Sequence, residues 1–131
     1  MTPPDRAVAI FLGALLGGAA RYALAVALPA ERAFDPALAL LAVNLSGSLL
    51  AGFARASIER TARAGASRHA ELAEAFTVVG FAGGFTSYSA FAVAPGGAVP
   101  IVATLVGCPI AALAGLLLGR GYPARPTEDP R

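Results

Sequence analysis

The sequence predicts an all-α integral membrane protein with four transmembrane helices, and three observations support this fold class. The chain has 131 residues, of which 56% are hydrophobic and only 14% are charged. Its mean hydropathy of +0.67 exceeds that of a typical soluble domain. Four apolar stretches are each long enough to cross about 30 Å of hydrocarbon as a helix. They cover residues 7–28, 36–56, 73–94 and 98–119, so residues 1–121 are predicted to form one four-helix transmembrane domain.

The first predicted helix carries two small residues one turn apart and one charge. Gly13 and Gly17 would let a neighbouring helix approach closely, which is how helices associate in lipid. Arg21 falls beyond the midpoint of the span. Its side chain either reaches the membrane interface along its own stem, or places a guanidinium where it attracts anions at a vestibule. The sequence leaves both interpretations open.

The second predicted helix places an amide near mid-membrane. Asn44 and Ser48 lie one turn apart on the same helical face, while Ser46 points elsewhere. A polar side chain at this depth is costly and is seldom retained without a role. Asn44 could bond a neighbouring helix or donate its N–H groups to a passing anion, and we favour the anion.

The third predicted helix contains the stretch GFAGGFTSYSAF, residues 80–91, which is poor material for an unbroken helix in lipid. We expect the helix to be broken at Gly83–Thr86, because irregular backbone inside a membrane must be buried in protein or line water. Freed carbonyl oxygens suit a small cation such as Na⁺, and freed N–H groups and hydroxyls suit an anion. Tyr88 and Phe91 would present positively polarised ring edges. The alternative is a glycine kink packed against aromatic rings without any ion.

The fourth predicted helix repeats the small-residue pattern. Ala111, Gly115 and Gly119 follow one another at four-residue spacing, as do Gly80 and Gly84 in the third helix. These faces favour a tight bundle and an oligomer. The tail, residues 122–131, has three prolines and mixed charge and is predicted to be disordered.

The charges predict an orientation in the membrane. All ten cations are arginines, and eight of them fall on the face shared by the two termini and the second loop: Arg6, Arg55, Arg60, Arg63, Arg68, Arg120, Arg125 and Arg131. The opposite face has Arg32 alone. The positive-inside rule then predicts cytoplasmic termini in a multi-pass protein of the plasma membrane. Arginines that flank spans also explain the basic pI of about 9.2, so no nucleic acid partner is expected.

Composition argues against several classes of function. One cysteine and one histidine leave no plausible cluster of zinc or haem ligands, and neither a phosphate-binding loop nor a dinucleotide fingerprint occurs. We therefore expect no enzyme activity.

Three motifs, in order along the chain, resemble the signatures of the Fluc/CrcB fluoride channel family. They are GGAARY, NLSGS and GFAGGFTSYSAF, and the resemblance covers about residues 7–119. It implies a four-helix subunit that forms an antiparallel dimer with two fluoride-selective pores. It also implies a structural Na⁺ at the dimer axis and passive fluoride export that lowers cytoplasmic fluoride.

The resemblance also implies roles for individual residues. Asn44 matches the pore asparagine, and Arg21 matches the arginine at the vestibule end. Gly83 and Thr86 match the positions whose backbone carbonyls hold Na⁺. With the hydroxyl that the fourth helix offers, the residues expected along the fluoride path are Asn44, Ser87, Tyr88, Phe91 and Thr104.

The third motif departs from the family pattern, which usually reads GGFTTFSTF. Ser87 replaces a threonine, Tyr88 the first phenylalanine and Ala90 the second threonine. These changes leave open a non-conducting or orientation-fixed partner subunit of a heterodimeric channel. The arginine bias favours pairing with an inverted paralogue, although a dimer of the chain with itself stays open.

A transporter resembling the small multidrug resistance proteins is a weaker alternative. Proton coupling of that kind needs a carboxylate inside the membrane. Seven of the eight acids fall outside the predicted spans: Asp5, Glu31, Asp35, Glu59, Glu71, Glu128 and Asp129. The eighth, Glu74, is the second residue of the third predicted span and lies at its edge.

Overall fold

The structure is a computed structural model that describes residues 2–27, 36–63, 65, 67–86 and 98–121. Within these residues the chain is helical apart from isolated end and turn positions, and contains no β-strand. The elements are α1 (Pro3–Ala27), α2 (Pro36–Arg63), α3 (Ser67–Ala73), the π-helical segment π1 (Glu74–Phe81), α4 (Ala82–Phe85) and α5 (Ala98–Gly121).

Three of these helices, α1, α2 and α5, are long and apolar enough to cross a membrane. Each has a proline in its first turn, where the missing N–H would have no intrahelical acceptor in any case. The prediction of an all-helical, multi-pass membrane protein is confirmed. The predicted tail, 122–131, lies outside the described residues.

The predicted third span differs most from expectation. α3, π1 and α4 follow one another without a gap, and the residues at their junctions, Ala73 and Ala82, keep right-handed helical dihedrals. We call this continuous helical unit, residues 67–85, the third rod. It begins at Ser67 rather than at residue 73, because the polar turns before the apolar run are also helical. Its π-helical middle was not predicted from the sequence.

The third rod ends inside the predicted break. The helix continues through both glycines to Phe85, and Thr86 then leaves it with φ −80° and ψ 150°. Any half-helix beyond would fall on residues 87–97, which lie outside the described residues. The broken helix therefore stays a prediction, although the observed helix end is compatible with it.

α1 packs against the third rod through glycines on both sides. A Cβ added to Gly13 would overlap the carbonyl oxygen of Phe76, and one added to Gly17 would overlap that of Phe81. From the other side, a Cβ on Gly80 would lie 2.6 Å from the Ile10 oxygen. A Cβ added to Gly84 would overlap the Ala14 carbonyl oxygen in the same way. The two small-residue faces predicted at four-residue spacing therefore meet each other, backbone against backbone.

α2 packs against α5 by the same means. A Cβ on Gly52 would overlap the Ala112 carbonyl oxygen, and one on Gly115 would overlap that of Leu49. A Cβ on Gly119 would lie 2.6 Å from Ala56 Cβ. The contacts advance along both helices together, so α2 and α5 run parallel, as α1 and the third rod do. The bundle consists of two parallel pairs.

Ion pairs collect at one end of the bundle, which we call the charged end. At the start of α1, Asp5 Oδ2 lies 4.0 Å from Nη2 of Arg68, which is at the start of α3. Near the end of α2, Glu59 Oε2 lies 3.5 Å from Nη2 of Arg120, which is near the end of α5. The start of α1, the end of α2, the start of the third rod and the end of α5 therefore share one end of the bundle, as the charge pattern predicted.

Candidate functional site

Asn44 projects from the inner face of α2 and is only 3% exposed. It lies about two turns into α2, eleven residues before Arg55, so it is roughly 16 Å along the helix from the charged end. An amide at this depth is surrounded by apolar helix surfaces, where an added donor or acceptor interacts strongly. Asn44 is thus placed to interact with a group inside the bundle.

The end of the third rod reaches α2 one turn from Asn44. The position that a Cβ of Gly47 would occupy lies 2.8 Å from Thr86 Cγ2 and 2.9 Å from Phe85 Cδ1. Only a glycine leaves room there. Asn44 and Gly47 are three residues apart and share a helix face, so the point where the rod ends is adjacent to the buried amide.

Thr86 closes the rod with its own side chain. Its backbone N–H and its Oγ1 both donate to the Ala82 carbonyl oxygen, at 2.9 and 2.8 Å. Phe85 is buried, and its ring stacks on that of Phe81 with centroids 5.9 Å apart and planes 10° from parallel. These interactions hold the last turn of the rod in a defined position against α2.

Thr104 brings a second buried polar group from α5. It is 8% exposed, and its Oγ1 has no hydrogen-bond partner among the residues that the structure describes. Gly107, one turn further along α5, packs against α2, since a Cβ added to it would lie 2.8 Å from Leu45 Cδ2. The register of the parallel pair therefore places Thr104 at the depth of the turn that contains Asn44. These two are the buried polar side chains of the described residues.

Arg21 occupies the opposite half of α1 from the charged end. It is sixteen residues from Asp5, or roughly 24 Å along the axis, and its side chain is half-buried. That position is compatible both with a vestibule and with a side chain that reaches the interface.

Gly83 faces away from the packed interfaces. It is exposed, and a Cβ built on it meets nothing within 4 Å, whereas its neighbour Gly84 is pressed against α1. The carbonyl groups in the last turn of a helix lack the usual intrahelical donors. Backbone oxygens near Gly83 and Thr86 are therefore chemically suited to a hard cation. Ser87, Tyr88 and Phe91, which the family resemblance predicts along the ion path, lie outside the described residues.

Sequence reasoning missed Gly47 and Phe85 as parts of this site. Gly47 was visible as the fourth residue of NLSGS, on the Asn44 face, but its contact depends on where the third rod ends. Among the described residues, no group of three His, Cys, Asp or Glu side chains could hold a metal ion. The described acids Asp5, Glu59, Glu71 and Glu74 all lie toward the charged end, which gives no support to a proton-coupled transporter.

The chain is similar to a known protein family and to several named proteins. Residues 8–119 match the family described as CrcB-like protein, Camphor Resistance (CrcB). A "Fluoride-specific ion channel FluC" of Anaeromyxobacter sp. (strain K) is 39% identical over 128 residues, covering 88% of this chain and 95% of the relative. "Fluoride-specific ion channel FluC 1" of Corynebacterium diphtheriae is 36% identical over 110 residues, covering 82% and 92%.

A third relative matches over a shorter region. A "Fluoride-specific ion channel FluC" of Dichelobacter nodosus is 40% identical over 82 residues, which is 63% of this chain and 62% of that protein's length. No solved structure matches the chain significantly.

Proposed function

The chain belongs to the CrcB-like protein family, and on that premise we propose that it is a subunit of a fluoride-selective channel for passive fluoride export. Relatives that carry the name of fluoride-specific ion channel align over most of the chain. The observation in this chain that carries the proposal is the pair of buried polar side chains, Asn44 and Thr104, at one depth of an otherwise apolar bundle.

Fluoride chemistry fits this pair. Fluoride is small, strongly hydrated and a strong hydrogen-bond acceptor, so a pore must replace its water with donors. The Asn44 amide and the Thr104 hydroxyl are neutral donors, which lets an ion bind and still leave. The described charges near this depth are few, because the ion pairs lie at the charged end. Ser87, Tyr88 and Phe91 extend the proposed path beyond the described residues.

We further propose that two copies, or one copy and an inverted paralogue, form an antiparallel dimer with Na⁺ at its axis. The support is the open surface at Gly83 and the extended backbone of Thr86, which leave space for a second chain and for carbonyl oxygens to face a cation. Na⁺ held there would supply a fixed positive charge between the two subunits. Arg21 would lie toward the vestibule at the end opposite the charged end.

The distribution of arginine supports a fixed orientation, with the charged end and both termini in the cytoplasm and the channel in the plasma membrane. A subunit of fixed orientation needs an inverted paralogue to form an antiparallel pair. The second candidate function, a non-conducting partner subunit in such a heterodimer, follows from this bias.

Fluoride efflux from liposomes distinguishes these possibilities. Vesicles loaded with potassium fluoride are prepared with the chain alone and with the chain plus an inverted paralogue, and an external electrode records fluoride after valinomycin is added. We expect fluoride efflux in at least one preparation. Vesicles loaded with potassium chloride should show no comparable chloride efflux. Efflux from the chain alone would identify a conducting homodimer. Absence of fluoride efflux in both preparations would contradict the proposed function.

A further inference from the structure

The third rod contains the π-helical segment π1, and the first residue of π1 contacts α2. In π1 the backbone bonds reach five residues back, as in the bond from the Ala82 N–H to the Thr77 oxygen. π-helical segments are rare, and they are frequently found at functional sites.

The buried residues of the rod follow this wider winding. Among the described residues of the rod, Ala70, Ala75, Gly80 and Phe85 are buried and recur every five residues, and Ala82 is buried between the last two of them. In a regular α-helix, residues five apart point in different directions, and residues three and four apart share a face. The π-helical turn therefore brings Ala75 and Gly80 toward one face and sets the direction in which Phe85 points.

Glu74, the first residue of π1, pairs with Arg55 Nη1 of α2. The same guanidinium donates from Nε to Glu59 Oε1 at 3.0 Å, and Glu59 in turn pairs with Arg120. One chain of charges thus links the third rod, α2 and α5. The Thr77 hydroxyl, which bonds the Ala73 oxygen at 2.6 Å, adds a local contact in the first π-helical turn.

These charges contribute little to overall stability, since the side chains of Arg55 and Glu74 are 44% and 37% exposed. The ion pair instead determines where the rod lies against α2. The pair fixes the start of π1 against α2, and the other end of the rod meets α2 at Gly47. Together with the glycine packing of α1 against the rod, these two contacts with α2, one near each end of the π-helical segment, define how far the rod is rotated.

We propose that the Arg55–Glu74 ion pair, which we call the phase lock, keeps π1 in its π-helical conformation. The pair thereby fixes the rotation of the rod and positions Phe85 and Thr86 beside Asn44. Arg55 and Glu74 are positioning residues that act through the rod and not on the ion. The inference rests on the proposed function, because the position that it protects is the proposed fluoride path. Without the lock, π1 relaxes toward α-helical winding and the rod rotates around its axis.

The test compares Glu74→Gln with Arg120→Gln in the full chain. Glu74→Gln removes the charge on the rod, whereas Arg120→Gln cuts the same network between α2 and α5 and leaves the rod contact intact. Spin labels are attached at Ser46→Cys and Val79→Cys, both exposed positions, in a Cys108→Ala background. Electron resonance measures the label distance in the membrane, and liposome efflux measures flux.

We expect Glu74→Gln to shift or broaden the label distance by roughly 5 Å, because rotation of a helix carries its side chains around a cylinder of that radius. Fluoride efflux should fall by about tenfold, since a misplaced site loses its geometry. Arg120→Gln should change neither quantity comparably. An unchanged label distance in Glu74→Gln would overturn the phase lock, whether or not the wild-type chain conducts, whereas failure of the proposed function alone would appear as absent wild-type efflux.

Discussion

Gly17→Ala is expected to destabilise the folded subunit by about 2 kcal/mol or more, whereas Gly18→Ala should leave its stability unchanged or raise it slightly. An alanine Cβ at Gly17 would overlap the Phe81 carbonyl oxygen and lie 2.9 Å from the Phe85 backbone nitrogen. These neighbours are backbone atoms, so the helices must separate to admit the methyl group. Separation removes the close packing on which association in lipid depends.

The adjacent glycine is a matched control. A Cβ at Gly18 meets nothing within 4 Å, so the same added methyl group meets open space on the same helix. Equilibrium unfolding in mixed micelles gives the free energy of unfolding of each variant. The helix contact described here would be wrong if Gly17→Ala were as stable as the wild-type chain, or if the two variants lost equal stability.

Asn44→Asp is expected to lower fluoride efflux by at least about a hundredfold at neutral pH, because an ionised carboxylate repels an anion by several kcal/mol at close range. The substitution barely changes side-chain size, but it replaces N–H donors with acceptors at a site that is 3% exposed. Efflux from fluoride-loaded liposomes measures the effect.

Ser46→Ala is the control for this variant. Ser46 lies two residues away on the exposed side of α2, where its hydroxyl donates to the Val43 oxygen at 3.0 Å. Its loss should not change fluoride efflux. Equal efflux from Asn44→Asp and wild-type vesicles would show that the amide does not face the ion path.

The packing of the bundle could be predicted from the sequence because its determinants are local. Gly13 and Gly17 lie one turn apart, as do Gly80 and Gly84, and four-residue spacing creates a smooth helix face wherever it occurs in lipid. The structure joins these two faces directly. The clustering of charges at one end followed in the same way from the arginine count and the number of spans.

The π-helical segment could not be predicted in this way. Its residues, EAFTVVGF, include no helix breaker before Gly80, and their hydrophobic pattern is equally compatible with an α-helix. The wide winding depends on contacts with other helices, among them the pairing of Glu74 with Arg55, which lie nineteen residues apart. A sequence pattern read within one helix carries no information about such a contact.

The candidate site was predictable only in part. The burial of Asn44 followed from the cost of an amide in lipid, and Thr104 was singled out as a hydroxyl in an apolar helix. The contact of Gly47 with Phe85 and Thr86 was not foreseen, because it depends on the length and rotation of the third rod. Ser87, Tyr88 and Phe91 stay predictions.

Thr104→Val provides the most direct test of the claim that buried neutral donors line a fluoride path. Valine has nearly the same shape as threonine and removes a buried hydroxyl that has no partner among the described residues. The free energy of unfolding should therefore stay unchanged or rise by about 1 kcal/mol, while fluoride efflux falls. Both quantities are measured on the same preparation. Wild-type efflux from Thr104→Val, or a loss of efflux that follows a loss of stability, would contradict this account.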